Sequence, residues 1–191
     1  VYEGISGNVD EITPIDSNKP KHLYTQSKII AEELIRSYHR LYGMEYVIYR
    51  YGVLYGEGGH SDMVVNMFTE RANSGKTLYI NGDGLQSRCF VNIGDLCRAV
   101  LTCVDKIRDG EPNVKNTTIN ICEGINYTIS EIVDRIKLHV PNVKTKHVRP
   151  RVCDLTSPMI SNTRAGDILD WHPENTLLNY IDTSMEMHAT A

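Results

Sequence analysis

The sequence lacks the features that mark membrane, nucleic-acid-binding and disulfide-stabilised proteins. Its 191 residues contain no apolar run long enough to span a bilayer, and the first residues resemble no secretory signal. The formal charge of −4 leaves no basic excess for a polyanionic partner such as nucleic acid. The 5 cysteines are odd in number and never spaced Cys-x-x-Cys. We therefore expect a soluble, cytoplasmic protein with reduced, buried thiols and no membrane partner.

Two kinds of ligand motif are also missing. The 7 histidines show no metal-ligand spacing with one another or with cysteine, so we predict no metal site. No Gly-x-x-Gly-x-x-Gly follows a strand pattern, and the glycines at 52, 56, 58 and 59 have another spacing and precede no immediate helix. The usual glycine cradle for a dinucleotide pyrophosphate is therefore absent from these residues.

The sequence does contain a tyrosine and a lysine four residues apart at the start of its longest helical pattern. Tyr24 and Lys28 share one helix face at that spacing. A tyrosine is a poor base at neutral pH because its pKa is near 10, but a nearby ammonium favours the phenolate. The pair could act as an acid/base, although the spacing alone favours a surface tyrosine beside a solvated lysine.

Helical and β-rich patterns alternate along the chain. The longest helical pattern ends at Gly43, later ones start at Asp62 and Asp95, and the last two lie on either side of Trp171. We interpret Asp95 as a helix N-cap rather than a catalytic residue. The alternation predicts an α/β fold, and the irregular spacing of the later strands favours two lobes over one simple parallel sheet.

Several blocks of sequence around the Tyr24–Lys28 pair occur in the order typical of one enzyme family. These blocks are Val1–Gly4, Asp10–Pro14, His22–Glu33, Arg50–Gly56, Ile80–Leu96, Ile119–Gly124, Arg149–Pro150 and Leu169–Pro173. They resemble the NAD-dependent epimerase/dehydratase family of extended short-chain dehydrogenase/reductases. The resemblance implies the C-terminal part of a Rossmann-like, doubly wound parallel sheet, completed by residues 1–55 and 88–122. It also implies a smaller α/β substrate-binding lobe, built from residues 56–87 and 123–191.

The resemblance implies a role for three residues in catalysis and in binding of the cofactor, NAD. Tyr24 would be the acid/base, and Lys28 would lower its pKa and hydrogen-bond the nicotinamide ribose. Tyr51 would also contact NAD. A serine or threonine that completes this constellation in the family would lie upstream of Val1, and the chain begins without methionine in what reads as a strand end. We therefore expect a C-terminal part that alone neither binds NAD tightly nor catalyses a reaction.

Three further residues are implied to contact a nucleotide-sugar substrate. Arg88 matches an arginine that binds the nucleotide diphosphate, although a surface ion pair is the alternative. Arg149 resembles a second phosphate-contacting arginine, followed by Arg151-Val152 where the family usually has Gly-Asp. Val53 stands where many relatives carry an asparagine that touches the substrate. Cys89 likewise replaces the aspartate that usually follows the first arginine.

The resemblance favours a nucleotide-sugar epimerase of the UDP-glucose 4-epimerase type, acting through a transient keto-sugar. A 4,6-dehydratase or a decarboxylase of the same family is the alternative reaction. The alternative from another class is a non-catalytic relative that acts as a binding or scaffold protein, which Val53 and Cys89 would support. The resemblance also implies a homodimer that pairs through the helix at residues 24–42.

Overall fold

A computed structural model of the chain describes residues 1–18, 22–150 and 156–189. The strands within these residues are β1 (Asn8–Val9), β2 (Val47–Tyr51), β3 (Val53–Tyr55), β4 (Leu78–Asn81), β5 (Ser87–Asn92), β6 (Thr117–Ile121), β7 (Asn126–Thr128), β8 (Thr145–Val148) and β9 (Met159–Ile160). The helices are α1 (Leu23–Tyr42), α2 (Val64–Asn73), α3 (Ile93–Arg108), α4 (Ile129–His139), α5 (Thr163–Leu169) and α6 (Leu177–Ala189). The predicted α/β fold is confirmed.

Most strand pairs are parallel, as expected for a Rossmann-like sheet. Strand β2 pairs with β6, β3 with β5, β4 with β8 and β1 with β9, all parallel, whereas β7 lies antiparallel to β5. Gly52 separates β2 from β3, and its N–H donates to the carbonyl of Ile121 at 3.1 Å. A Cβ at Gly52 would lie 2.8 Å from the carbonyl oxygen of Cys89, so the backbones approach too closely for a side chain. One extended segment thus pairs first with β6 and then with β5.

The buried hydrophobic residues of the described part of the chain form two clusters. The first contains Val91, Ala99, Cys103, Val114, Ile119, Ile121, Ala165, Leu169 and Trp171. The second contains Tyr55, Val65, Phe68, Ala72, Leu78, Ile80, Phe90, Tyr127, Ile132, Val133, Ile136, Leu177, Ile181 and Met185. Helix α5 and Trp171 pack with the first cluster, although they lie within the 123–191 segment. The lobe boundaries inferred from sequence remain a proposal.

Helix α1 reverses the usual distribution of buried residues. It ends where predicted, because Gly43 adopts φ +68° and its N–H donates to the carbonyl of His39 at 2.9 Å. Its buried residue is Glu32, whereas Leu34 and Leu41 are 56% and 73% exposed. The apolar stripe of this helix therefore faces away from both hydrophobic clusters.

The structure corrects three local predictions. Residues 1 and 2 form no strand, and Tyr2 is buried through side-chain contacts instead. Helix α2 begins after Met63, so Asp62 does not cap it. Asn92 rather than Asp95 caps α3, because its side chain accepts from the N–H of Gly94 at 2.8 Å while Asp95 already lies inside the helix.

No helix in the described part of the chain is long and apolar enough to cross a membrane.

The described cysteines are free thiols: Cys89, Cys103 and Cys122 are buried, but Cys97 is exposed, contrary to the expectation of buried thiols. Cys153 and the Arg151-Val152 dipeptide lie outside the described residues.

Candidate active site

A cleft of about 610 Å³ lies along α1 from the start of the helix to Ile35. Its walls come from residues 1–3, the start of α1, strand β2 and the segment 156–160. Four of the residues singled out in the sequence line it together, namely Tyr24, Lys28, Tyr51 and Arg88. Val53 and Arg149 are not among the residues that line it. The fold thus brings the expected catalytic and cofactor-binding residues into one cavity with one of the expected substrate-binding residues.

Tyr24 and Lys28 lie one helical turn apart on the cleft wall. The ammonium nitrogen of Lys28 is 5.1 Å from the centroid of the Tyr24 ring, in a cation–π arrangement. Tyr24 is 71% exposed, so its hydroxyl is accessible to a bound molecule. The hydroxyl of Ser27 donates to the carbonyl oxygen of Tyr24 at 2.7 Å. An accessible phenol beside a positive charge can donate its proton and, as the phenolate, take one back.

Glu32 lies two turns after Tyr24 and anchors this face of α1. Its carboxylate accepts hydrogen bonds from Arg50 Nε at 2.8 Å and Nη2 at 2.7 Å, and from Arg36 at 2.8 Å. Burial alone would raise the pKa of Glu32, but the hydrogen bonds and charges of Arg50 and Arg36 outweigh it and lower that pKa. A two-point Arg–carboxylate contact therefore fixes α1 against β2.

The anchor continues into a buried polar network below the cleft. Arg50 Nη1 donates to the hydroxyl of Tyr2 at 2.8 Å, and that hydroxyl hydrogen-bonds Asn120 Oδ1 at 2.9 Å. The backbone N–H of Asn120 in turn donates to Glu11 at 2.7 Å. Burial raises the pKa of Tyr2, which favours the neutral phenol here. The network ties α1, β2 and β6 to the segment at residues 1–11.

Sequence reasoning missed these anchoring residues. Glu32 is four residues after Lys28 and four before Arg36, so its spacing placed it on the same helix face as both. That signal indicated a charged face but could not identify Arg50, which lies on another element. Its partnership with Glu32 depends on tertiary structure.

The other residues singled out in the sequence differ from one another in burial and in their contacts. Tyr51 is 54% exposed at the end of β2, and Arg88 Nη1 donates to the carbonyl oxygen of Ser87 at 3.1 Å. Val53 packs against the second hydrophobic cluster, and Arg149 is exposed just after β8. Cys89 is buried in the core and hydrogen-bonds Cys122.

The cleft residues fit one end of a dinucleotide. The Lys28 ammonium and the accessible hydroxyls of Tyr24 and Tyr51 offer hydrogen-bonding groups for the hydroxyls of a nicotinamide ribose. No cluster of three or more metal-ligating side chains occurs among the described residues. Tyr24 and Lys28 could carry acid/base chemistry in a cavity that both apolar and charged side chains line.

Comparisons with known proteins show the family to which the chain belongs. Residues 3–122 match the model of the NAD dependent epimerase/dehydratase family, and the chain belongs to this family. The family predicted from the sequence is thus confirmed, as is NAD as the cofactor on which it depends.

Individual relatives add detail. A protein of Methanocaldococcus jannaschii called "Putative UDP-glucose 4-epimerase" is 33% identical over 171 residues, covering 87% of this chain and 52% of that protein. The UDP-glucuronate 4-epimerase of Thermodesulfobacterium geofontis is 28% identical over 176 residues, covering 91% of this chain and 52% of that protein. The chain thus spans about half the length of these relatives. Matching proteins also include dTDP-glucose 4,6-dehydratases and UDP-glucuronic acid decarboxylases.

A solved structure shows the same fold. The Bacillus cereus UDP-glucuronic acid 4-epimerase, crystallised with UDP-glucuronic acid and NAD, superposes with a TM-score of 0.82 at 24% identity. The match covers 100% of this chain and 59% of that one. The Rossmann-like assignment, with the chain forming part of a larger fold in that neighbour, is confirmed.

Proposed function

We propose that this chain provides the acid/base centre of an NAD-dependent nucleotide-sugar epimerase of the UDP-glucose 4-epimerase type. The observation that carries the proposal is the placement of Tyr24 and Lys28 one turn apart on the wall of a cleft that Tyr51 and Arg88 also line. A 33% identical relative named for this reaction adds support. The activity, substrate and partners of the whole protein are part of the proposal.

The chemistry assigned to Tyr24 is proton transfer. Its phenolate oxygen takes the proton from a sugar hydroxyl, and the Lys28 ammonium stabilises the negative charge while it also donates to the nicotinamide ribose. NAD, when bound, supplies the acceptor and later the donor of the hydride. Tyr24 then returns its proton to the keto-sugar oxygen after the sugar has presented its other face. No net proton is gained or lost over the cycle.

Arg88 is proposed to hold the diphosphate of the substrate, because a guanidinium offers a planar set of donors to phosphate oxygens. Tyr51 is proposed to contact the cofactor from the adjacent wall. Contacts of Val53 and Arg149 with the substrate have less support, since neither residue lines the cleft.

The non-catalytic alternative loses part of its basis in the structure. Of the departures that suggested it, Val53 packs against the second hydrophobic cluster and Cys89 is buried, and neither lines the cleft with Tyr24. Replacing polar residues at these positions therefore leaves the acid/base pair unchanged. The dehydratase and decarboxylase reactions use the same fold, and relatives with those names also match the chain.

We also propose that the protein is a homodimer that pairs through α1, within the cytoplasm. Ile30, Leu34, Tyr38 and Leu41 form an apolar stripe on α1 and are 52% to 73% exposed. Burying such a stripe against a second copy is favourable.

The proposed location in the cytoplasm rests on the cysteines. The four described cysteines are free thiols, which suits a reducing compartment.

The test of the proposed reaction is to incubate the whole protein with NAD and, separately, UDP-glucose, UDP-glucuronic acid and dTDP-glucose. We expect the 4-epimer of one UDP-sugar by chromatography and NMR. A 4-keto-6-deoxy product or release of CO₂ would replace the epimerase proposal with one of the two alternative reactions. If none of the three nucleotide sugars is bound or converted, the enzyme proposal is overturned.

A further inference from the structure

We propose that His22 and Glu3 form a positioning pair that holds the first turn of α1 in place, and with it the hydroxyl of Tyr24. The inference rests on the proposed function, in which Tyr24 is the acid/base. It concerns two residues that the family resemblance leaves without a role.

The start of α1 has no capping side chain of its own. His22 occupies the N-cap position with extended backbone angles but makes no capping hydrogen bond, and the first turn contains no acidic residue. Helix starts are usually held by a side-chain oxygen at the N-cap or by a carboxylate near the helix dipole. Interactions from outside the helix therefore fix this end, and in one of them Gln26 Nε2 donates to the carbonyl oxygen of Ser17 at 2.6 Å.

The His22–Glu3 contact is such an interaction. Nδ1 of His22 lies 2.8 Å from Oε1 of Glu3, and the side chain of Glu3 is only 8% exposed. Glu3 follows Tyr2, which is itself held by Arg50 and Asn120. The start of α1 is thus connected through one hydrogen bond to the polar network below the cleft.

The position of the Tyr24 hydroxyl depends on this connection. Tyr24 is 71% exposed, so packing restrains its ring little and the backbone of the first turn sets where the hydroxyl lies. Further along the helix, Glu32 is fixed by Arg50. His22 and Glu3 line the same cleft as Tyr24 and supply the second fixed point, two residues before it. Two fixed points define the orientation of the helix face that carries Tyr24 and Lys28.

Loss of the pair should affect turnover more than binding. Misplacing a reacting group by about 1 Å can reduce the rate by roughly 100-fold, whereas contacts to the substrate diphosphate are made elsewhere. We expect His22→Ala and Glu3→Ala each to lower kcat by about 10- to 100-fold, with KM for the nucleotide sugar within about twofold of the parent.

The experiment compares these variants with His22→Asn and Glu3→Gln in the whole protein. An asparagine amide nitrogen can take the place of Nδ1, and a glutamine oxygen can still accept, so both conservative variants should recover most of kcat. His39→Ala is the matched control, since His39 hydrogen-bonds the carbonyl of Met44 at 2.9 Å at the other end of α1. It should leave kcat within about twofold of the parent. The double variant His22→Ala/Glu3→Ala should be no slower than either single variant.

Hydrogen exchange separates this inference from the proposed reaction. We expect faster exchange of the first hydrogen-bonded amides of α1, from Gln26 onward, in His22→Ala, and parent-like exchange in His22→Asn, whether or not a substrate has been found. Unchanged exchange would overturn the inference. In an active enzyme, an unchanged kcat in His22→Ala, or a loss that His22→Asn does not restore, would also overturn it. An inactive parent with the expected exchange pattern would contradict the proposed function and support the positioning pair.

Discussion

Asp95 Oδ2 accepts a hydrogen bond from the backbone N–H of Asn175 at 2.9 Å, across 80 residues of sequence. Asp95 is 1% exposed, and the same oxygen accepts from the N–H of Glu174 at 3.1 Å. The indole of Trp171 donates to the backbone carbonyl of Asp95 at 2.9 Å. This one residue on α3 therefore holds the segment that leads from the first hydrophobic cluster into α6, which belongs to the second.

Replacing Asp95 by asparagine should destabilise the fold. Asparagine has one acceptor oxygen where Asp95 has two, so its amide nitrogen would face either the backbone N–H groups of residues 174 and 175 or the donors of the Arg98 and Asn175 side chains. We therefore expect a loss of about 3 kcal/mol in the free energy of unfolding, measured in urea. Asp105→Asn is the control, because its ion pair with Arg108 is exposed at the surface. It should change stability by no more than about 0.5 kcal/mol. Equal effects of the two substitutions would contradict the proposed importance of Asp95.

Glu123 should make the protein less stable as the pH rises. Its carboxyl accepts from Tyr127 at 2.9 Å and from the N–H of Leu177 at 3.3 Å, and no described residue donates to its buried Oε1. Burial raises the pKa of Glu123 above that of an unfolded glutamate. The cost of ionising it is therefore absent below the unfolded pKa, near 4.3, and grows as the pH rises from there toward the folded pKa.

The measurement is the free energy of unfolding of Glu123→Gln and the parent between about pH 4 and pH 8. Glutamine keeps an acceptor for Tyr127 and Leu177 but cannot ionise, so the variant should gain stability relative to the parent as the pH rises. Parallel curves for the two proteins over this range would show that Glu123 is ionised without penalty.

Tyr24→Phe should abolish most turnover while leaving the fold intact. The substitution removes one hydroxyl from a side chain that is 71% exposed, so the thermal midpoint should hardly change. Turnover of the whole protein should fall by about two to four orders of magnitude, the usual contribution of a positioned acid/base. Tyr38→Phe is the control on the same helix and should leave the rate unchanged. A parent-like rate in Tyr24→Phe would remove this residue from the mechanism.

The exposed stripe on α1 predicts a dimer in solution. Leu34→Asp places a charge in the centre of the stripe and should shift the whole protein from dimer to monomer at micromolar concentration, as measured by light scattering. Leu138→Asp, at a 69% exposed position on α4, should leave the mass unchanged. A monomeric parent would refute the dimer directly.

The sequence was sufficient for the family, the α/β class and most helices and strands. The helix that begins near Tyr24 and ends at Gly43 could be predicted because periodicity and a left-handed glycine are local signals. The grouping of Tyr24, Lys28, Tyr51 and Arg88 was implied by resemblance, and the structure brings these residues to one cleft.

Long-range contacts could not be predicted in the same way. Asp95 has the spacing of a helix cap, but its partners at residues 174 and 175 become neighbours only when α3 packs against the chain after Trp171. The apolar period of α1 gave no indication that Glu32 is the buried residue. Its burial depends on Arg50, which a pattern along one helix does not include.

Tyr24, Lys28 and Glu32 lie at successive turns of one helix face, so the proposed reacting groups and their structural anchor belong to the same rigid helix. Any twist of the helix that displaces the phenol also displaces a buried carboxylate from its guanidinium partner. Under the proposed function, the rate of the reaction and the thermal stability of the fold are therefore coupled at this helix. Natural variants with a loosened anchor should lose both properties together, and selection for heat resistance would preserve the reacting geometry without acting on activity.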